Sequence, residues 1–449
     1  MKLKYIIILF LPLLFVNCDE SLDEFNVDPT RPTAVGLDLS LPEVLASAAY
    51  NEGGEAPRAA GIIMQQYEGS DAQQLQYTTY NFAEATFNNF WRTGLYAGVL
   101  KSCQVIIDNA SESNSSFYSG VAKLIMAQQY GIATSYFGDL PMSQALQGPD
   151  ILKPLYDDQE MVYNAVLAML DDAIADLSVD ADDYNGGDLV YGGDAASWIK
   201  TAHGLKARFY LHLSKRDAAN YGRALSSIEN SYESAEEEAA LTFDDTDTGN
   251  WSIAAFSSER GGTLKMDENF VTLMANDPRR DVIMSGSDID GFWTANDATV
   301  PYISFTELKF IEAECKVAMG EDANDSYIAA ITSNFERYSL SADTLAFYLD
   351  DIGDVEGMSG DAAVEKIVSE AYKAYFGYNF HETWSNWRRT GFPNLTPKED
   401  GANGSNPSGV IPVRFQYASS EITTNSANVE AAKAAQGGAL LDDPLWVFE

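Results

Sequence analysis

Helical periodicity runs along most of this chain and constrains its fold more than any other feature. Apolar residues return every three or four positions over residues 41–67, 83–110, 121–137, 158–177, 195–213, 306–319 and 361–376, the spacing that places them on one face of a helix. In 83–110 the stripe is Phe87, Trp91, Leu95, Val99 and Ile106. Asp194 stands where an N-cap would, Ser304-Phe-Thr-Glu307 reads as a capping box, and Gly320 reads as a stop. Gly53-Gly54 interrupts the first stretch. Strand signals are few and short: Leu241-Thr-Phe243, Thr299-Val-Pro-Tyr-Ile303 and Val410-Ile-Pro-Val-Arg414. Between them, 239–303 and 391–425 carry Thr, Asp, Gly, Ser and Pro, with aromatics that follow no period. The pattern predicts a mostly α chain with long irregular loops. Ala122-Lys-Leu-Ile-Met-Ala and Phe310-Ile-Glu-Ala-Glu-Cys-Lys-Val-Ala share one Ala-rich texture, but no repeat consensus is legible in either.

Charge excludes several partner classes. With 67 acidic and 28 basic residues the net charge is −39, so the surface repels nucleic acid, anionic membranes and polyanions. A neutral or cationic ligand remains. At 46% hydrophobic residues, global disorder is also excluded.

The N-terminus sets the address. Lys2 and Lys4 precede an apolar run, Tyr5 to Val16, too short to span a bilayer, and the run stops at Asn17-Cys18. It resembles the lipobox of bacterial lipoproteins, with cleavage before Cys18 and the lipid carried on it. Asn17 in the last leader position and Asp19-Glu20 after the cysteine resemble the form tolerated in the Bacteroidetes. Without the two leader lysines the mature charge is −41. Residues 18–36 read as an extended tether, held out of helix by Asp28-Pro29 and Arg31-Pro32. Residues 1–17 are then the leader and 37–449 a single α-rich domain. Cys103 and Cys315 sit among apolar neighbours and read as buried thiols.

Catalytic patterns fail one by one. Of the three histidines, His381-Glu382 starts like a zinc helix but meets Ser385 where the second ligand belongs, and His203 and His212 fall on opposite faces of one helix. No nucleophile elbow, P-loop or dinucleotide glycine pattern is present. Asp244-Asp-Thr-Asp-Thr-Gly-Asn250 and Asp288-Ile-Asp-Gly291 offer oxygen ligands, but neither keeps calcium-loop spacing. The expectation is a protein with no catalytic site and no cofactor.

A set of segments, in order, then carries a resemblance: Asn26-Val-Asp-Pro29; Tyr136-Phe-Gly-Asp-Leu-Pro-Met-Ser-Gln-Ala-Leu146; Pro154-Leu-Tyr-Asp-Asp-Gln159; Gly187-Asp-Leu-Val-Tyr-Gly-Gly-Asp-Ala-Ala-Ser-Trp-Ile-Lys200; Leu205-Lys-Ala-Arg-Phe-Tyr-Leu211; Trp384-Ser-Asn-Trp-Arg-Arg-Thr-Gly-Phe-Pro393; Ile411-Pro-Val-Arg414; and Glu421-Ile-Thr-Thr-Asn425. Together they resemble the SusD/RagB family of outer-membrane nutrient-binding lipoproteins, in its shorter SusD-like branch. The resemblance implies one domain of tetratricopeptide-like helix pairs with an irregular ligand-binding side. It also implies a surface lipoprotein that captures oligosaccharides and delivers them to a SusC-like TonB-dependent transporter, without catalysis. The alternative is a peptide-binding member of the same system; a scaffolding lipoprotein and a lipoprotein hydrolase rank behind both. Arg388 and Arg389 read as internal partners of carboxylates.

Sugars are held by flat aromatic faces and by side chains that pair with hydroxyls. Aromatics off the helical stripes are therefore the candidates: Tyr77 and Tyr80 in the polar stretch 73–82, whose family counterpart contributes to the binding site, and Trp251, Phe256, Trp293 and Tyr302 in the irregular insert. Arg260 and Asn296 are polar candidates nearby, whereas Trp91 lies on a helical stripe and reads as core.

Overall fold

The computed structural model of the chain describes residues 35–180, 183–246, 249–289 and 291–449. The leader, the lipidated Cys18 and most of the tether expected at the N-terminus lie outside them. In chain order the first half holds α1 (Leu37–Asn51), α2 (Glu55–Ile63), β1 (Tyr67–Gly69), α3 (Ala72–Thr78), a π-helix (Phe90–Leu100), α4 (Lys101–Ser113), α5 (Ser116–Phe137), α6 (Gln159–Leu177), α7 (Ala195–His212) and α8 (Ala219–Ile228). An irregular middle holds β2 (Ala240–Thr242), α9 (Ser252–Glu259), β3 (Leu264–Met266), α10 (Glu268–Leu273), α11 (Arg280–Ile283) and β4 (Thr299–Pro301). Then come α12 (Phe305–Met319), α13 (Asn324–Arg337), α14 (Ala342–Ile352), α15 (Gly360–Ala374), α16 (Phe380–Thr390), α17 (Ser419–Thr424) and α18 (Ser426–Ala435).

Helix α5 is apolar, Ala or Gly on every face, and such a helix has to be surrounded. It packs on α4, α6 and α7, and the packing continues outward, α6 on α7, α7 on α8, α8 on α12 across the irregular middle, and α12 on α13 and α15. This is the pairwise stacking of tetratricopeptide-like units. The two start signals work as read, Asp194 Oδ1 accepting from Ala196 N–H at 3.1 Å and Ser304 Oγ from Glu307 N–H at 3.0 Å, and Asp158 adds a third cap, its Oδ1 accepting from Met161 N–H at 2.7 Å. Glu307 does not close the capping box; its carboxylate turns inward to Arg208.

Two expectations about local structure are corrected. Residues 83–110 are not one α-helix but a turn, the π-helix and the start of α4. Val410–Arg414 is not a strand: Pro412 lacks an N–H, and the N–H groups of Val413 and Phe415 go to two different segments, at Leu441 O and Tyr136 O. The strands that do form are three residues long, β1 pairing β3 and β2 pairing β4, with Tyr67 opposite Met266 and Leu241 opposite Val300. Cys103 and Cys315 are buried free thiols, and burial pushes both upward in pKa.

At the centre, titratable side chains from three helices and from the segment just past α1 meet out of water. Arg208 of α7 holds Glu307 of α12 through two hydrogen bonds, at 2.6 and 2.7 Å, and His212 Nε2 lies 2.9 Å from Glu382 of α16. Glu52, just past α1, lies 3.2 Å from His381 Nδ1 and accepts from Gln128 Nε2 of α5. Burial lifts the Glu52 carboxyl to about 8, opposed by Arg208 and reinforced by Glu307 and Glu382, while burial and Arg208 push His381 down to about 3. A Glu52 that keeps its proton is a neutral donor beside the unprotonated His381. An acid raised in the folded state binds more protons there than in the unfolded chain, so its contribution falls as pH rises from about 5 to 8. Glu52→Gln supplies the same donor without the titration. The variant is expected to gain on the wild type as pH rises across that window, read by urea unfolding at several pH values; parallel curves would refute the protonated Glu52.

Candidate functional site

The interruption at Gly53-Gly54 does more than separate two helices. Trp251 lies against it: a Cβ on Gly53 would fall 2.6 Å from the ring carbons Cζ2 and Cη2, so only glycine permits the approach. Ser252 Oγ donates to Tyr50 O at 2.9 Å, tying the start of α9 to the end of α1. The chain therefore leaves α1 beside the loop that follows β2, and a cleft of about 620 Å³ opens between them and the start of the π-helix.

The cleft presents aromatic faces and hydrogen-bonding groups together. Tyr50 is 46% exposed, and Phe243 is half-buried with its ring 5.4 Å from Trp251. Asn51, Asn89, Thr93 and Asn250 supply amides and a hydroxyl. Asn51 Nδ2 is fixed by Gly94 O at 3.0 Å and Gln129 Oε1 at 3.2 Å. Glu55 and Asp244 are the carboxylates, and no Lys, Arg or His is among the described lining residues. Burial raises Glu55, against the pull of its Tyr77 hydrogen bond and of Arg58. Arg58 stays behind the wall, donating to Gly53 O at 2.7 Å and stacking 4.1 Å over Phe256. A pocket of this size, part aromatic and part amide, suits a sugar's apolar faces and hydroxyls.

The loop aromatics singled out from the sequence stand mostly behind surfaces rather than on them. Trp251 is fully buried. Tyr77 is buried, stacked 4.7 Å from Phe82, with its hydroxyl donating to Glu55 Oε1 at 3.2 Å. With Phe256, these two back the cleft. The other three are placed elsewhere in the core. Tyr80, at φ 57°, accepts from Lys398 N–H. Trp293 stacks 4.8 Å from Tyr378 and donates to Tyr338 Oη at 2.8 Å. Tyr302 donates to Leu45 O at 2.8 Å. As placed, none of the five tyrosines and tryptophans offers an open face to a sugar, because long loops in a large chain fold over small cores of their own. Arg260 is exposed, and Asn296 Nδ2 donates to Asp245 Oδ1 at 2.8 Å beside the same loop.

Sequence reasoning missed Tyr50, Asn51, Asn89, Thr93 and Phe243. Tyr50 carried a signal: it is off the buried stripe Leu41, Val44, Leu45 and Ala48, one turn before a double-glycine stop. Of the arginine pair, Arg389 does bind a carboxylate, Glu314. Arg388 instead donates to Val413 O and lies between the rings of Trp384 and Phe448. Trp91 is core, as its stripe implied.

Residues 31–292 and 287–418 match the profile of the SusD-like family described as "Starch-binding associating with outer membrane". No curated protein matches the chain. Solved structures do. A SusD/RagB family protein from Bacteroides thetaiotaomicron superposes with a TM-score of 0.76 at 24% identity, over 92% of this chain and 99% of that one. A SusD homolog from Bacteroides uniformis gives 0.77 at 20%, over 92% and 100%. A chitin-binding SusD homolog from Flavobacterium johnsoniae gives 0.78 at 20%, over 91% and 98%. At these identities the likeness establishes the fold.

Proposed function

The chain belongs to the SusD-like family, and from that premise we propose that it captures a neutral oligosaccharide in the cleft beside Tyr50. It does so at the outer membrane, held by a lipid on Cys18, and passes the glycan to a SusC-like TonB-dependent transporter. It binds without transforming its ligand. One observation carries the choice of ligand: the cleft combines three aromatic rings with amide and hydroxyl groups and two carboxylates, and no cation is among its described lining. Uncharged hydroxyls meet that lining without a charge penalty, whereas an anionic glycan would face Glu55 and Asp244.

The Tyr50 side chain tests the site. Tyr50→Ala removes an exposed ring, so stability should change by less than about 0.5 kcal/mol. Affinity for a neutral oligosaccharide in titration calorimetry should fall about tenfold, the equivalent of roughly 1.4 kcal/mol. Unchanged affinity would move the site elsewhere. Binding of peptides and of no glycan in the same titrations would replace the sugar reading with the peptide one. Co-purification with a large β-barrel under mild detergent checks the transporter.

A further inference from the structure

The π-helix has two working flanks. Asn89 just before it, with Phe90, Thr93 and Gly94, lines the cleft beside Tyr50. Trp91, Arg92, Tyr96, Ala97 and then Lys101 line a second cavity of about 360 Å³. Between the flanks the exposed crest is Arg92, Thr93 and Ala97. The far wall of the second cavity is the segment from Pro141 to Pro154, with Leu146 and Ile151 facing in. Its outer side holds Leu152, 78% exposed, and Leu155.

The widened helix is built into the sequence. Gly98 departs from helical geometry at φ −91° and ψ −108°, and a Cβ there would sit 2.1 Å from Thr93 O. Only glycine fits this close approach, and π-helical geometry is rare and frequently found at functional sites. Tyr96 Oη is committed to Pro141 O at 2.7 Å, so this tyrosine offers its ring and not its hydroxyl. The cavity is apolar at its base, with Arg92 and Lys101 lining it against one carboxylate, Glu421.

We propose that this second cavity is a distal subsite for the same glycan, which crosses the crest at Thr93 and Ala97 and sets a further sugar, or an acyl substituent on it, against Tyr96, Leu146 and Ile151. The inference rests on the glycan reading of the first cleft. A helix is about 10–12 Å across with its side chains, a span that several linked sugar units bridge and a single sugar does not. Thr93 and Ala97, the small residues of the crest, leave the path low. The two ends differ in character: the first takes neutral hydroxyls beside carboxylates, and the second takes an apolar face and tolerates negative charge through Arg92 and Lys101. The protein would therefore measure chain length as well as sugar identity.

The test compares short and long oligomers of one series in titration calorimetry, with α-1,4-linked glucose and β-1,4-linked N-acetylglucosamine as probes. The heptasaccharide should bind at least about tenfold tighter than the trisaccharide, because the second contact becomes intramolecular. Ala97→Glu places bulk and charge on the exposed crest. It should remove most of that advantage and leave trisaccharide affinity unchanged, which also reports an intact first cleft. Arg92→Ala is the companion, expected to reduce the heptasaccharide alone. A length advantage that persists in both variants is statistical and overturns the subsite. Equal affinities for both lengths in the wild type overturn it as well. No binding by either probe at either length overturns the glycan reading, and the subsite with it.

Discussion

Arg208→Met is expected to cost roughly 3–5 kcal/mol of folding stability, because it leaves a buried carboxylate without its partner. Arg208 is 1% exposed and donates to Glu307 through Nε at 2.6 Å and Nη2 at 2.7 Å, and to Tyr302 O at 3.0 Å. Glu382 lies 3.8 Å away. Three acidic residues, Glu52, Glu307 and Glu382, thus share one guanidinium, with His212 and His381 as the remaining partners. Methionine keeps the apolar stem of the side chain but not the guanidinium, so Glu307 keeps only Asn379 Nδ2 at 2.8 Å. Set against a usual total of about 5–15 kcal/mol, the loss would show as a large drop in urea midpoint. The double variant with Glu307→Leu removes the stranded charge and should recover a substantial part, since apolar replacement of both partners is often close to neutral. Arg223→Ala is the control: its pair with Asp217 is half exposed on both sides, and such pairs contribute about 0–1 kcal/mol. An Arg208→Met protein within about 1 kcal/mol of wild type would mean that water reaches this centre.

That network also shows where the sequence was legible. The stripes that put Arg208 and Glu307 on helices are visible in the periodicity, though the helix of Glu382 is not among them, and the caps at Asp194 and Ser304 follow from their own side chains. Pairing between helices is not visible. Nothing local tells Glu307 to abandon the capping box for Arg208, because its competitor arrives from 99 positions away. The π-helix is hidden for a related reason. Trp91, Leu95 and Val99 keep an i, i+4 stripe that an α-helix would equally show, and the widening comes from the backbone approach of Gly98 to Thr93. Strands β1 and β3 escape because three-residue strands carry no period to detect; Gly69 meets Leu264 across the intervening chain. The site was harder still. Aromatics in irregular segments were taken for surface, but loop burial depends on what the loop lies against, and the most exposed ring of the cleft is the tyrosine at the end of α1.

Trp251→Ala separates those two roles of an aromatic. The ring is fully buried, packed on Gly53 and 5.4 Å from Phe243, so its removal leaves a cavity and should cost about 3–5 kcal/mol in urea unfolding. Its Nε1 has no hydrogen-bond partner among the described residues. A phenylalanine therefore sacrifices no hydrogen bond, and Trp251→Phe should cost less than half as much, with the loss confined to volume. Binding should follow packing. The alanine variant loses the support behind Phe243 and behind the Ser252 tie to Tyr50, so glycan affinity falls along with stability. The phenylalanine variant keeps that support and should bind nearly as the wild type does. A ring that touched ligand would behave otherwise: alanine would abolish binding while the unfolding midpoint stayed in place, since an exposed ring contributes little to the core. That outcome would put Trp251 on the cleft's surface and require the loop around it to open when the glycan enters.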